Sequence, residues 1–286
     1  MDLKSLMEHH SKLPTIAQVA QRVLASFGSE DVRVGEIADL IEADPVLSAK
    51  LLRLANSSYF QLSRSVESVD DAIRVMGMAM VRQLVVTGGI VGTFANTPGM
   101  ALRPFWTHSL YTACAARWLA EHSDVHGELA FTLGLLHGIG QLHMHSAAPV
   151  AMQALDLQLP VLHADRLAFE KAALGFHFLD VSAALARLWN FPSTLVEPMA
   201  QIAEPLAGPH FSEAAAVVHL AAWHARNTLL DSPPQDIGAH YPHAVAARLG
   251  ISSGWVLPEP AAAGLKAMPP MPSLHELAHG LDGMLD

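Results

Sequence analysis

The sequence predicts an all-α protein, and three observations carry that expectation. Apolar residues recur at steps of three and four along nearly the whole chain. Capping residues and glycine or proline breaks punctuate that pattern at helical lengths. No paired runs of alternating β-branched residues flank a hairpin turn. At 286 residues, with 51% of them hydrophobic, the chain can build a sizeable core in one large helical body or two subdomains.

Taken in order, Ile16, Val19, Ala20, Val23, Leu24 and Phe27 make the first helical stripe, with Gly28 as its C-terminal cap. Ile37, Leu40 and Ile41 mark a second, short helix. Asp44 is the N-cap of a third, and Pro45 takes its first position, where a missing N–H costs nothing. Leu47, Leu51, Leu54 and Ala55 form the buried face of that helix. Ser68 and Asp71 cap the next, which carries Ile73 and Met76 before Gly77. Met80 to Val91 form a separate helix that leads into the turn Asn96-Thr97-Pro98-Gly99. That turn divides an expected N-terminal subdomain, residues 1–98, from a second, residues 99–231.

In the second subdomain Pro104 opens a helix through Trp106, His108, Cys114 and Trp118, and Glu128 to Leu136 form another. Shorter helices are expected at 164–174, 180–189 and 193–203, separated by Gly175, Pro192 and Pro205. An alanine-rich helix from Ser212 to about Leu230 holds His219, Trp223 and His224. The tail, residues 232–286, has a helix near 243–249 and a stretch from Leu257 to Pro272 that reads as a linker. Ser273 and Glu276 then have capping-box spacing. The final stripe of Leu274, Leu277, Leu281 and Met284 is expected to dock on the body or on a second copy in a homodimer.

Composition narrows the function classes. The formal charge of −10 disfavours nonspecific binding to nucleic acid, which is not an expected partner. Lys50, Arg53, Arg64, Arg74 and Arg82 leave room for a local basic patch but read better as a solvated helix face. Cys114 is the one cysteine, so no intrachain disulfide forms. The amino terminus mixes charge into its apolar residues, unlike a secretion signal, and the apolar run from Leu84 to Ala95 is too short to span a bilayer. A cytoplasmic chain with no membrane span is the expectation.

Two histidine arrangements bear on chemistry. His275-Glu276-Leu277-Ala278-His279 matches the zinc-protease pattern literally, because positions i and i+4 share a helix face and the glutamate could activate water. Only seven residues follow it and no third ligand is evident, so adventitious metal binding is the better reading. His108 and His137 lie on two helices that could converge in a bundle. Gly138 supplies no ligand beside His137, and Val217-Val218-His219-Leu220-Ala221-Ala222 contains no acid. Two neutral imidazoles without an anion make a weak metal site, so no metal and no other cofactor is expected. His143 and His145 point to different faces of a helix, and they could coordinate together only from extended backbone.

Nucleophilic catalysis has no better footing: Cys114 falls in an apolar helix, and adjacent helical residues such as His108 and Ser109 diverge by about 100°. Gly88-Gly89-Ile90-Val91-Gly92 lacks the strand and spacing of a dinucleotide fingerprint. Trp106, Trp189 and Phe191 read first as core, and second as the lining of a groove that takes a partner helix.

Several separated motifs resemble HDOD domains in order. They are Asp44-Pro45-Val46-Leu47 with Leu51-Leu52-Arg53-Leu54-Ala55-Asn56-Ser57-Ser58-Tyr59-Phe60, then Asp71-Ala72-Ile73-Arg74-Val75-Met76-Gly77. Phe105-Trp106-Thr107-His108-Ser109, Gly134-Leu135-Leu136-His137-Gly138-Ile139-Gly140 and Leu174-Gly175-Phe176 follow, so the resemblance runs from about Leu13 to Leu230. It implies a helical bundle, with an N-terminal subdomain followed by a degenerate relative of the metal-dependent HD phosphohydrolase fold. It also implies a non-enzymatic regulatory module in bacterial signalling that works through contact with signalling proteins. Against the catalytic pattern, His108 and His137 match its two histidines, while Gly138 and Ala222 stand where its aspartates would be. Ile202 and Ala203 replace a common histidine pair. A metal-dependent phosphohydrolase acting on a nucleotide or cyclic dinucleotide, with a rearranged site, is the alternative.

Overall fold

A computed structural model describes residues 2–8, 18–25, 34–57, 59–60, 62, 65–257 and 264–281. Among the described residues the structure is all-α, and the sole β feature there is an isolated parallel bridge between Ile251 and Lys266. The first half holds α1 (Leu3–Glu8), α2 (Gln18–Ala25), α3 (Val34–Glu42), α4 (Pro45–Ala55) and α5 (Val69–Thr93). The second half holds α6 (Leu102–Ala120), α7 (Gly127–Leu136), α8 (Ile139–Ala147), α9 (Pro149–Gln158), α10 (Arg166–Leu174), α11 (Phe178–Leu188), α12 (Ser193–Gln201) and α13 (Glu213–Leu229). In the tail are α14 (Pro234–Ala239), α15 (His243–Arg248) and α16 (Leu274–Ala278).

The sequence signals act where they were read. The Asp44 carboxylate accepts from the backbone N–H groups of Val46 and Leu47 at 3.0 and 3.1 Å, which satisfies two orphan donors at the start of α4. Ser68 caps α5 through the Asp71 N–H and Ser212 caps α13 through the Ala215 N–H. Gly175 closes α10 in the left-handed conformation, at φ +83°. Ile16, Phe27, Gly28, Arg64 and Met284 lie outside the described residues.

The two helices predicted on either side of Gly77 are both present, separated by its non-helical backbone (φ +75°, ψ 153°) within the segment numbered α5. Several elements differ from expectation. Taken whole, α5 is long and apolar enough to cross a membrane by length and composition, which the run from Leu84 to Ala95 alone was not. Half of its most apolar stretch is buried inside the protein, and α2, α3, α4 and α7 all pack against it. Helices α1, α8, α9 and α14 had no counterpart in the sequence reading. Helix α1 touches α11, so the first half reaches across the turn at 96–99.

Close approach of helices positions the second half. Helix α6 is sandwiched between α7 and α13. A Cβ at Gly134 of α7 would lie 2.8 Å from the Ala113 Cα of α6, so only glycine permits that spacing. The contact of α8 with α11 is tighter still. A Cβ at Gly140 would lie 2.1 Å from the Phe178 carbonyl oxygen, and the Gly140 N–H donates to Ser182 Oγ at 2.8 Å. Behind these helices Arg166 is 1% exposed and is held by Glu170 at 2.7 Å and Asp156 at 2.8 Å.

The tail docks on its own body. Trp255 packs among Trp118, Trp223 and Tyr241, and its indole N–H donates to the Tyr241 hydroxyl at 3.0 Å. Of the stretch read as a linker, 258–263 lies outside the described residues, while Lys266 and Met271 make backbone hydrogen bonds to Gly250 and Trp255. Leu274, Ala278 and Leu281 are buried, and α16 packs on α6.

Gly140→Ala should therefore destabilise the protein by about 2–3 kcal/mol, the cost of forcing a methyl into a filled contact. Gly92→Ala, with nothing within 4 Å of the new methyl, should stabilise it by up to about 1 kcal/mol. Urea unfolding of the two variants checks both signs.

Candidate functional site

His108 reaches the site from the middle of α6, and His137 follows the last residue of α7. Their rings face each other with centroids 5.4 Å apart. The bundle thus brings together the pair that the sequence places on separate helices. His137 Nδ1 is 2.6 Å from the Gly134 carbonyl oxygen, an N–H donation that leaves Nε2 as the acceptor of the neutral ring. His108 hydrogen-bonds the backbone of Ala222, and its buried Nε2 has no protein partner. Burial lowers both histidines from the ordinary 6.5, His137 to about 4 and His108 to about 3; for His108 the neighbouring His137 and the charge of Arg226 act in the same direction.

The pair lies in the wall of a cavity of about 1130 Å³. Helix α13 contributes His219, Ala222, Trp223 and Arg226 to it, positions spaced i, i+3, i+4 and i+7 that share one helix face. Gly138 and Ala222 line the cavity and supply no donor. Ile202 and Ala203 line it too, and the Ile202 carbonyl accepts from His219 Nδ1–H at 2.8 Å. A Cβ at Gly138 would stand 3.1 Å from the Phe105 ring, so that ring fills much of the space a carboxylate there would need.

Three carboxylates reach the cavity. Asp180 accepts from the His177 N–H in the capping box of α11 and lies 3.6 Å from Lys171 Nζ. Asp165 and Glu204 are exposed. The buried Glu170 and the partly exposed Asp156 are engaged by Arg166, with His145 on Asp156 and Gln141 on Glu170. Among the described residues no group of three or more His, Cys, Asp or Glu side chains is placed to hold a metal ion. Of the cations lining the cavity, Arg166 is paired with Glu170 and Asp156 and Lys171 lies near Asp180, which leaves Arg226. Desolvation by burial lowers its pKa, Asp165 partly offsets that, and no carboxylate among the described residues is within 4 Å of it. A fixed positive charge close enough to depress His108 and His219 also repels a divalent cation. The residues present do not fit a metal.

The other candidates fall elsewhere. Trp106, Trp189 and Phe191 are buried and do not line this cavity, so their apolar surroundings place them in the core rather than in an open groove. Cys114 is buried in α6. His143 and His145 lie on a helix, and His145 is tied to Asp156. At the tail the His275 and His279 rings lie with centroids 6.5 Å apart, and among the described residues no third His, Cys, Asp or Glu joins them to hold a metal. Glu276 caps α16 through Ser273, which lowers its pKa. Sequence reading missed Arg226, although it lies one turn beyond Ala222 on the same face.

The depressed histidines make a linkage prediction. In the unfolded chain each takes up a proton as pH falls through about 6.5, whereas the folded protein refuses it until about 4 for His137. Stability should therefore fall as pH drops from about 6.5 toward about 4, by roughly 1.4 kcal/mol per pH unit per histidine. Unfolding midpoints against pH should show a shallower acid slope for His137→Gln, and in wild type the two rings should not titrate by NMR between about pH 8 and 5.

Comparison with known proteins agrees with the fold. The family model of the HDOD domain matches residues 13–205. A crystal structure from Shewanella amazonensis, provisionally named a phosphohydrolase, superposes with a TM-score of 0.73 at 26% identity, covering 98% of this chain and 96% of that one. An HDOD domain protein of unknown function from Geobacter sulfurreducens gives 0.71 at 25% identity, covering 86% and 87%. Among curated proteins, an uncharacterised one from Treponema pallidum is 22% identical over 198 residues; the match takes in 67% of this chain but 38% of that protein's length. The chain belongs to the HDOD domain family.

Proposed function

We propose that this chain is a non-enzymatic regulatory module of bacterial signal transduction, acting through contacts with signalling proteins in the cytoplasm. The observation that carries the reading is the cavity floor, where two neutral imidazoles, a glycine, an alanine and a guanidinium occupy the ground on which a hydrolytic metal would need carboxylates. Without a metal-activated water, and with no nucleophile paired to a base, these residues have no evident route to phosphoester cleavage. A crystal structure from Marinobacter aquaeolei named for signal transduction shares the fold, with a TM-score of 0.73 at 23% identity.

The name of the Shewanella relative supports a second reading, a phosphohydrolase with a rearranged site. The two readings separate in one assay. The purified chain is incubated with mononucleotides and cyclic dinucleotides in Mn²⁺, Mg²⁺ or Fe²⁺, beside His137→Ala. We expect product at the level of the protein-free control in both samples. Turnover by the wild type that His137→Ala abolishes would establish the enzyme instead.

A further inference from the structure

The cavity of about 1130 Å³ is at least as large as the pockets that enclose drug-sized molecules, typically about 300–1,000 Å³. Two kinds of unmet need face into it. The first is the half-buried charge of Arg226, with Asp165 acting only at a distance and no ion-pair partner within 4 Å among the described residues. The second is a set of buried polar atoms on lining residues: the acceptors Gln141 Oε1 and Gln201 Oε1 and the ring nitrogen His108 Nε2 all lack a protein partner. Buried polar atoms are nearly always satisfied, so these atoms, together with the orphaned donor Trp223 Nε1 on the same cavity, point to partners supplied from outside. Phe105, Phe178 and Trp223 give the same cavity an apolar flank.

We propose that this cavity binds a small organic oxyanion, a phosphate or a carboxylate that also carries hydroxyl or amino donors, with Arg226 as its counter-charge. The proposal rests on the non-catalytic reading and gives that module an input: the ligand occupies ground that a metal and its substrate would share in a hydrolase. The guanidinium presents parallel N–H donors to two oxygens of the anion, and the orphaned acceptors take the ligand's own N–H or O–H groups. The exposed carboxylates Asp165 and Glu204 lie in the same cavity and set which anions are tolerated.

Isothermal titration in EDTA tests this with two matched pairs: AMP against adenosine, and gluconate against sorbitol. We expect one anion to bind and its neutral counterpart to bind about tenfold more weakly or worse, the cost of losing a charge-assisted contact. The AMP and gluconate arms decide between phosphate and carboxylate. Arg226→Gln should weaken the anion by a similar factor and Arg226→Lys should keep part of the affinity. Arg226→Gln should fold normally, because it removes a desolvated charge, and its melting temperature checks that. Equal binding of anion and neutral counterpart, binding untouched by Arg226→Gln, or no binding in either pair would overturn the proposal. EDTA silences metal-dependent turnover, so these outcomes are read independently of whether the chain hydrolyses anything.

Discussion

Arg166 is almost wholly buried, and a guanidinium taken out of water must be neutralised where it sits. It draws in Glu170 from its own helix and Asp156 from α9, and its remaining N–H group reaches the Leu159 carbonyl. Those two acids in turn fix His145, Gln141 and the Phe178 N–H, which ties α8, α9, α10 and the start of α11 together. Two carboxylates face one guanidinium, so either alone still neutralises it, whereas removing both would strand a buried charge, a loss on the order of 3–5 kcal/mol. The network fixes one wall of the cavity, and it explains why these anions are not available to anything bound there.

The cavity then follows a different electrostatic rule from that of a metal hydrolase. A divalent ion needs anionic oxygen, and the side chains that could have offered it are small or apolar at 138, 202, 203 and 222. Positive charge is provided by the chain itself, through Arg226 on the same face of α13 as Ala222. The histidines stay neutral because burial makes protonation costly, so the pair contributes shape and hydrogen-bond acceptors rather than charge.

Much of the helical pattern was legible because its signals are local. Asp44-Pro45, Ser68, Gly175 and Ser212 act through atoms within three or four residues, and each ends or begins a helix where expected. Helix α8 was hidden because Gly138 and Gly140 look like helix breakers, whereas Gly140 serves the approach of α11, forty residues away in sequence. Gly77, by contrast, is a true break whose non-helical backbone separates the two helical stretches of α5. At the site, the missing ligands could be counted from the residues, yet the orphaned acceptors on Gln141 and Gln201 could not. They depend on which partner each side chain finds in three dimensions. The tail's zinc-like pattern depends on space in the same way: its two histidines come near each other, but no third ligand among the described residues joins them.

The central claim is that this cavity repels the cation a hydrolase would hold. Titrating the purified chain with Mn²⁺ and following the six-line electron paramagnetic resonance signal of the free ion tests it most directly. The account predicts that the signal grows with added Mn²⁺ as it does in buffer. A stoichiometric loss of that signal, reversed by His108→Ala or His137→Ala, would contradict it.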